Sequence, residues 1–138
     1  MKPARSEVKE RIGRFQAACR SKGLPLTPQK KAIFEAVAST ASHPAAQQVY
    51  ASLKRRWPSL SFATVYKNLN QFRDLGLVRE LRTGSGTSRF DADTGPHAHV
   101  YHLGSGAVSD APLGGPLPLP PGVDAASVDH VSLIYYVR

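Results

Sequence analysis

The chain has 138 residues, 41% of them hydrophobic, and 18 Lys and Arg against 10 Asp and Glu give a net charge of +8. That is enough for one ordinary domain or two small ones with a buried core. No apolar run approaches the about 18 residues of a membrane span, the N-terminus lacks the apolar stretch of a secretory signal, and the single cysteine, Cys19, excludes an internal disulfide, so a cytoplasmic protein is expected.

The charge is unevenly spread. Residues 1–82 hold 16 of the basic and 5 of the acidic side chains, a balance of +11, whereas residues 83–138 hold 2 and 5, a balance of −3. A basic first half joined to a mildly acidic second half suggests that the first half faces a polyanion.

Val8, Ile12, Phe15 and Cys19 recur at helical spacing over residues 5–21, with Gly23 as a stop. Thr27-Pro28 reads as an N-cap and first-turn proline for a second helix with Ile33, Phe34 and Val37 on its core face. Ser42 or His43, followed by Pro44, is expected to start a third helix that carries Ala46, Val49, Tyr50 and Leu53 and closes at Trp57-Pro58. Ser61 caps a fourth helix with Val65, Leu69 and Phe72 inward, ending at Gly76. The period then changes. Residues 77–82 read as a strand, 84–86 as a turn and 87–90 as the returning strand, which is the outline of a winged helix. Beyond Asp91, residues 97–102, 107–109 and 131–137 suit strands. The stretch 112–122 holds five prolines and three glycines and admits no regular helix. The expected fold is α+β: a winged-helix domain over 1–84 and a small α/β domain over 85–138, with a soft boundary within 83–96.

The fourth helix is the candidate DNA reader. Thr64, Tyr66, Lys67, Asn70 and Arg73 are its polar or amphipathic positions, and a helix of this kind can contact base edges in the major groove. Lys30, Lys31, Lys54, Arg55 and Arg56 would meet phosphates, which fix register without reading sequence, and Arg82 with the wing tip could reach the backbone or minor groove. Four of the five histidines, His97, His99, His102 and His130, lie in the second half. His97 and His99 are two apart and so share one face of a strand. With Asp91 before them and Asp110 after them, they offer nitrogen and oxygen donors suited to manganese, ferrous iron or zinc. Cys19 falls on the apolar face of the first helix and reads as a core residue.

The runs Leu26-Thr27-Pro28-Gln29, His43-Pro44-Ala45-Ala46 with Val49-Tyr50, Pro58 through Leu69, Gly76-Leu77-Val78, Ser88-Arg89-Phe90-Asp91, His97-Ala98-His99 and Gly106 through Asp110 together resemble the ferric uptake regulator family of metal-responsive repressors. The resemblance implies a winged-helix domain followed by a dimerisation domain, a homodimer on an inverted-repeat operator, and one divalent metal per subunit held by His43, Asp91, His97, His99 and Asp110. The metal is manganese or ferrous iron, with zinc as the third candidate. The chain also departs from the family pattern. His102 and Ser105 stand where a first Cys-x-x-Cys pair would be, so no four-cysteine structural zinc is expected. The Pro/Gly-rich 112–122 stretch implies that the dimerisation helix is shortened or missing. A second metal site would need ligands where the chain has Pro96, Ala98 and Leu117, which leaves His130 without clear partners. An aspartate at position 91 resembles the peroxide-sensing branch, in which ligands matching His43 and His97 are oxidised; a manganese-responsive repressor uses the same set. No nucleophile elbow, phosphate loop or paired-helix zinc motif is present, so an enzyme is not expected and a small-molecule substrate has no evident site. The competing reading is a metal-storage or buffering protein without sequence-specific DNA binding.

Overall fold

The computed structural model describes residues 2–138. The chain divides into two compact units, Met1–Thr94 and Gly95–Arg138.

The first unit begins with α1 (Arg5–Lys22), α2 (Pro28–Ala38), α3 (Ala46–Lys54) and α4 (Phe62–Asp74). Two helix starts follow directly from local chemistry. Thr27 accepts a hydrogen bond from the Lys30 N–H, and Ser61 accepts one from the Thr64 N–H, each satisfying a donor that the helix itself cannot. Gly76, at φ 74°, ends the fourth helix in the left-handed conformation that a side chain would strain. The helices bury their apolar stripes against one another. Phe15 of α1 and Phe34 of α2 stack with ring centroids 4.6 Å apart, and Phe72 of α4 meets both edge-on at 5.4 Å. All three rings are buried, as are Ile33, Val37, Val49, Val65 and Leu69 around them. Full burial of one such side chain contributes about 1.5–3 kcal/mol, and each aromatic pair adds about 0.5–1.5 kcal/mol. Cys19 is buried in the same core, as its place on α1 predicted, and burial pushes its thiol pKa up against the opposing charge of Lys30.

The wing is an antiparallel pair, β1 (Arg79–Arg82) and β2 (Ser88–Asp91), with Arg79 opposite Asp91 and Arg82 opposite Ser88. One expectation fails here. The third helix does not start at Ser42 or His43 but at Ala46, because Pro44 and Ala45 are held in extended pairing with β2. The Phe90 N–H donates to the Pro44 carbonyl at 2.9 Å, and Ala45 forms a bridge with Arg89. A backbone committed to a strand partner cannot also turn into a helix. The N-terminus is capped instead by Gln48, whose Oε1 accepts from the Ala45 N–H.

The second unit is a three-stranded sheet of β3 (Ala98–His102), β4 (Val108–Ala111) and β5 (Ile134–Val137), ordered β4-β3-β5. β3 and β4 are antiparallel, and β5 runs parallel to β3. The terminal strand therefore completes a sheet. Between β4 and β5 the only helical element among the described residues is a single 3-10 turn at Ala125–Ser127. The five prolines of 112–122 account for this, since each removes a backbone donor and fixes φ.

Candidate functional site

On α4 the spacing of 3.6 residues per turn places Ala63, Tyr66, Lys67 and Asn70 on one stripe, opposite the buried Val65, Leu69 and Phe72. Tyr66 and Lys67 are exposed and Thr64 is half-buried, its hydroxyl 2.8 Å from that of Ser61. Arg55 and Arg56 are exposed just beyond α3, where the Arg56 guanidinium lies 5.6 Å from the Trp57 ring centre. The Lys54 ammonium lies 5.4 Å from that of Tyr50. These side chains present positive charge and hydrogen-bonding groups to solvent.

Three of the residues singled out from the sequence are engaged within the fold. The Arg73 guanidinium donates to Glu80 at 2.6 Å, to Asp74 at 3.1 Å and to Asn70 at 3.3 Å. The Lys30 ammonium donates to Gln71 at 2.7 Å. Glu80, on the wing, also accepts from the Ser88 hydroxyl at 2.6 Å. Burial alone would raise the Glu80 carboxyl pKa, but the bonds from Ser88 and Arg73 and the charges of Arg73 and Arg82 outweigh it and hold the group below the ordinary range. The bond to Glu80 in turn raises the pKa of Arg73 against the opposing effect of burial. Glu80 thus ties the end of the candidate reading helix to the wing. Sequence reasoning missed this residue, although an acidic side chain flanked by Arg79 and Arg82 was a usable signal.

The first unit also buries His43 against Asp91, with Nε2 and Oδ2 3.4 Å apart. His43 has φ 55°, uncommon for a side-chain-bearing residue, and its carbonyl accepts from Arg89 at 3.3 Å, a second contact that sequence reasoning did not assign. The Asp91 Oδ1 accepts from the Asp93 N–H, which fixes the carboxylate.

The second unit brings together His97, His99 and Asp110. His99 and Asp110 are direct cross-strand partners on β3 and β4. Asp110 Oδ1 lies 3.2 Å from His97 Nε2 and 3.6 Å from His99 Nε2, and the two Nε2 atoms are 3.1 Å apart. The His97 Nδ1 lies 2.8 Å from the Gly95 carbonyl. A carbonyl only accepts, so Nδ1 donates to it, and Nε2 is the ring nitrogen turned toward Asp110 and His99. It faces a carboxylate oxygen, and a ring nitrogen and a carboxylate at this distance are held together by a proton or a cation between them. Donors on a metal with bonds of about 2.1 Å sit about 3.0 Å apart at octahedral and about 3.4 Å at tetrahedral angles, close to the separations within both clusters. Both donor sets therefore suit a divalent ion. Of the remaining histidines, His102 has Ser109 at 3.5 Å, and the exposed His130 pairs with its neighbour Asp129 at 2.6 Å.

The sequence model of the ferric uptake regulator family matches residues 21–112, which include α2 to α4, the wing and both donor clusters. The chain belongs to the ferric uptake regulator family. Over 94 residues it is 40% identical to the peroxide-responsive repressor PerR of Staphylococcus epidermidis, a match covering 68% of this chain and 63% of that protein. The chain thus spans less than two thirds of the length of this relative. Among solved structures, PerR from Streptococcus pyogenes, described as acting in peroxide sensing and gene regulation, is 30% identical. It covers 72% of this chain and 68% of its own, with a TM-score of 0.57. The ferric uptake regulator of Helicobacter pylori matches in fold, with a TM-score of 0.72 at 14% identity over 95% of this chain and 91% of its own. The winged-helix order of elements in the first unit is thus the family's. No helix among the described residues is long and apolar enough to cross a membrane.

Proposed function

We propose that this chain is a metal-dependent transcriptional repressor that binds an inverted-repeat operator as a homodimer and acts in metal homeostasis or the peroxide stress response. The observation that carries the reading is the His97, His99 and Asp110 cluster, in which a histidine ring nitrogen and a carboxylate oxygen face each other at 3.2 Å in a chain whose first unit is a basic winged helix. Thr64, Tyr66 and Lys67 would read base edges, Arg55 and Arg56 would meet phosphates, and Asn70 and Arg73 would set the attitude of the reading helix through Glu80.

One divalent cation per subunit, manganese, ferrous iron or zinc, would be held by His43 and Asp91 of the first unit with His97, His99 and Asp110 of the second. Neither cluster fills a coordination shell by itself, and the six residues from Asp91 to His97 span at most about 20 Å. When bound, the cation supplies a positive charge that both sets of donors satisfy together. His43 and Asp91 would then fix the reading unit to the second unit, narrowing the range of orientations and raising the fraction of molecules able to dock on two half-sites. Asp91 and the similarity to PerR support a peroxide response. In the iron form, hydrogen peroxide would add one oxygen atom to the imidazole of His43 or His97 with loss of water, and DNA would be released.

The test selects duplexes from a random pool with the manganese-loaded chain, then measures their affinity by fluorescence anisotropy while manganese, iron or zinc is titrated. Sequence-specific binding that falls at least tenfold on chelation is expected, as is the same loss in His97→Ala with metal present. Affinity indifferent to every metal would overturn the switch. Metal uptake without sequence preference would establish a storage protein instead.

A further inference from the structure

Phe62 is the first residue of α4, and its ring is 38% exposed at the start of the candidate reading helix. Tyr50 of α3 meets it edge-on with ring centroids 5.9 Å apart, and Tyr66, one turn along α4, lies at 6.2 Å. The Lys54 ammonium lies over the Tyr50 ring. Phe62 and Tyr66 stand outside the buried core of the first unit. Residues four apart on a helix are neighbours, so Phe62, Tyr66 and Asn70 follow one another along one edge of α4. Helical side chains lean toward the N-terminus, which carries the Phe62 ring over the entry of the helix. The surrounding sequence has one sign of charge. From Ala36 to Arg73 there is no Asp or Glu, while Lys54, Arg55, Arg56, Lys67 and Arg73 are all basic. Cations meet phosphates, but a phosphate offers nothing to a phenyl ring. The apolar group that the major groove presents is the C5-methyl of thymine, and the N-terminal residues of a recognition helix are the ones that reach base edges.

We propose that Phe62 is a further sequence-reading residue, which selects one thymine in each half-site by covering its C5-methyl group. The proposal rests on the operator-binding reading above and names one contact within it. Phe62 has no hydrogen-bonding group, so it cannot read the donors and acceptors of a base edge; Thr64, Tyr66 and Lys67 on the same helix can. What remains for a phenyl ring is the methyl, which the other three bases lack. The edge-on contact with Tyr50 restrains the ring before DNA arrives, so little rotamer freedom is left to lose on binding. Taking one methyl out of water strengthens binding about fourfold, the equivalent of about 0.8 kcal/mol, and about fifteenfold for the symmetric pair in two half-sites.

Deoxyuridine differs from thymidine only in lacking this methyl and leaves every hydrogen-bonding edge in place, so it isolates the contact. The test uses the full-length, manganese-loaded chain and the duplex it selects from a random pool. Each thymine, with its symmetry mate in the other half-site, is replaced in turn by deoxyuridine, and affinity is read by fluorescence anisotropy. In the native chain one such pair is expected to lose about fifteenfold. Phe62→Ala is expected to lose a similar factor on the unmodified duplex. Its deoxyuridine penalty at that same pair should shrink to within about twofold, while penalties at other thymines persist. A ring that merely supported Tyr50 or α4 would, when removed, weaken binding to both duplexes alike and leave the penalty intact. The variant spares the buried core, so the melting transition of the first unit should be retained. The native chain's deoxyuridine scan needs no variant: indifference at every thymine overturns the proposal. So does a penalty that Phe62→Ala leaves undiminished at every position. A chain that selects no sequence at all sinks the operator reading and this contact with it, an outcome distinct from specific binding that ignores the methyl.

Discussion

The contact between Glu80 and Arg73 makes a quantitative prediction. Glu80 has a side chain only 12% exposed and accepts two short bonds, from Arg73 and from Ser88. A hydrogen bond to a charged group contributes about 1.5–3 kcal/mol, and the 38% exposure of Arg73 reduces its share through solvent screening. Glu80→Ala is therefore expected to destabilise the first unit by about 2–3 kcal/mol. For a unit of this size that lowers its melting temperature by about 10–20 °C. Glu80→Gln keeps the shape and one acceptor, and is expected to cost about 1 kcal/mol. The pH dependence follows from the sign of the pKa shift. The folded-state carboxyl titrates below its unfolded value, so its stabilisation is complete above the ordinary carboxylate pKa and is lost as pH falls through the folded one. Calorimetric melting of the native chain and of Glu80→Gln, from pH 7 downward, isolates this term, because all other carboxylates titrate in both proteins. The two curves should converge in acid. A constant gap across the series, or an Ala variant within about 0.5 kcal/mol of the native chain, would refute the reasoning.

Phe72→Ala removes the ring that meets both Phe15 and Phe34. It is expected to cost about 3–5 kcal/mol and to leave the first unit largely unfolded at 37 °C, as read by urea titration of its helical circular dichroism. Lys67→Ala removes an exposed cation from the candidate reading stripe. It should weaken binding to the selected sequence and relax discrimination at the base that Lys67 reads, as measured by anisotropy on single-base variants of that duplex, whereas Arg73→Ala should lower thermal stability as well.

Local chemistry was legible in the sequence, and non-local pairing was not. Thr27 and Ser61 announced helix starts because a capping hydroxyl acts on a residue three positions away. His43-Pro44 looked like the same signal. Its meaning was reversed by Phe90 and Arg89, which lie more than 40 residues later and hold Pro44 and Ala45 as a strand. The engagement of Arg73 by Glu80 was not legible, because Glu80 lies beyond the turn at Gly76 on another element. In the second unit His97 and His99 could be paired from their spacing. The cross-strand register that sets Asp110 opposite His99, and the parallel course of β5, follow from tertiary packing.

The backbone around His43 bears on which ions the proposed cation site would accept. The Phe90 bond to Pro44 and the Arg89 bond to the His43 carbonyl hold the main chain at His43, and the Asp93 N–H holds the Asp91 carboxylate, before any ion arrives. The cost of ordering them is met during folding. At the proposed site calcium, which takes six to eight oxygens at about 2.3–2.6 Å, is expected to bind more weakly than a first-row ion with bonds near 2.1 Å, which accepts imidazole nitrogen. In the proposed site, a main chain fixed in this way would act as a size filter beside donor atoms that alone discriminate only weakly among divalent metals.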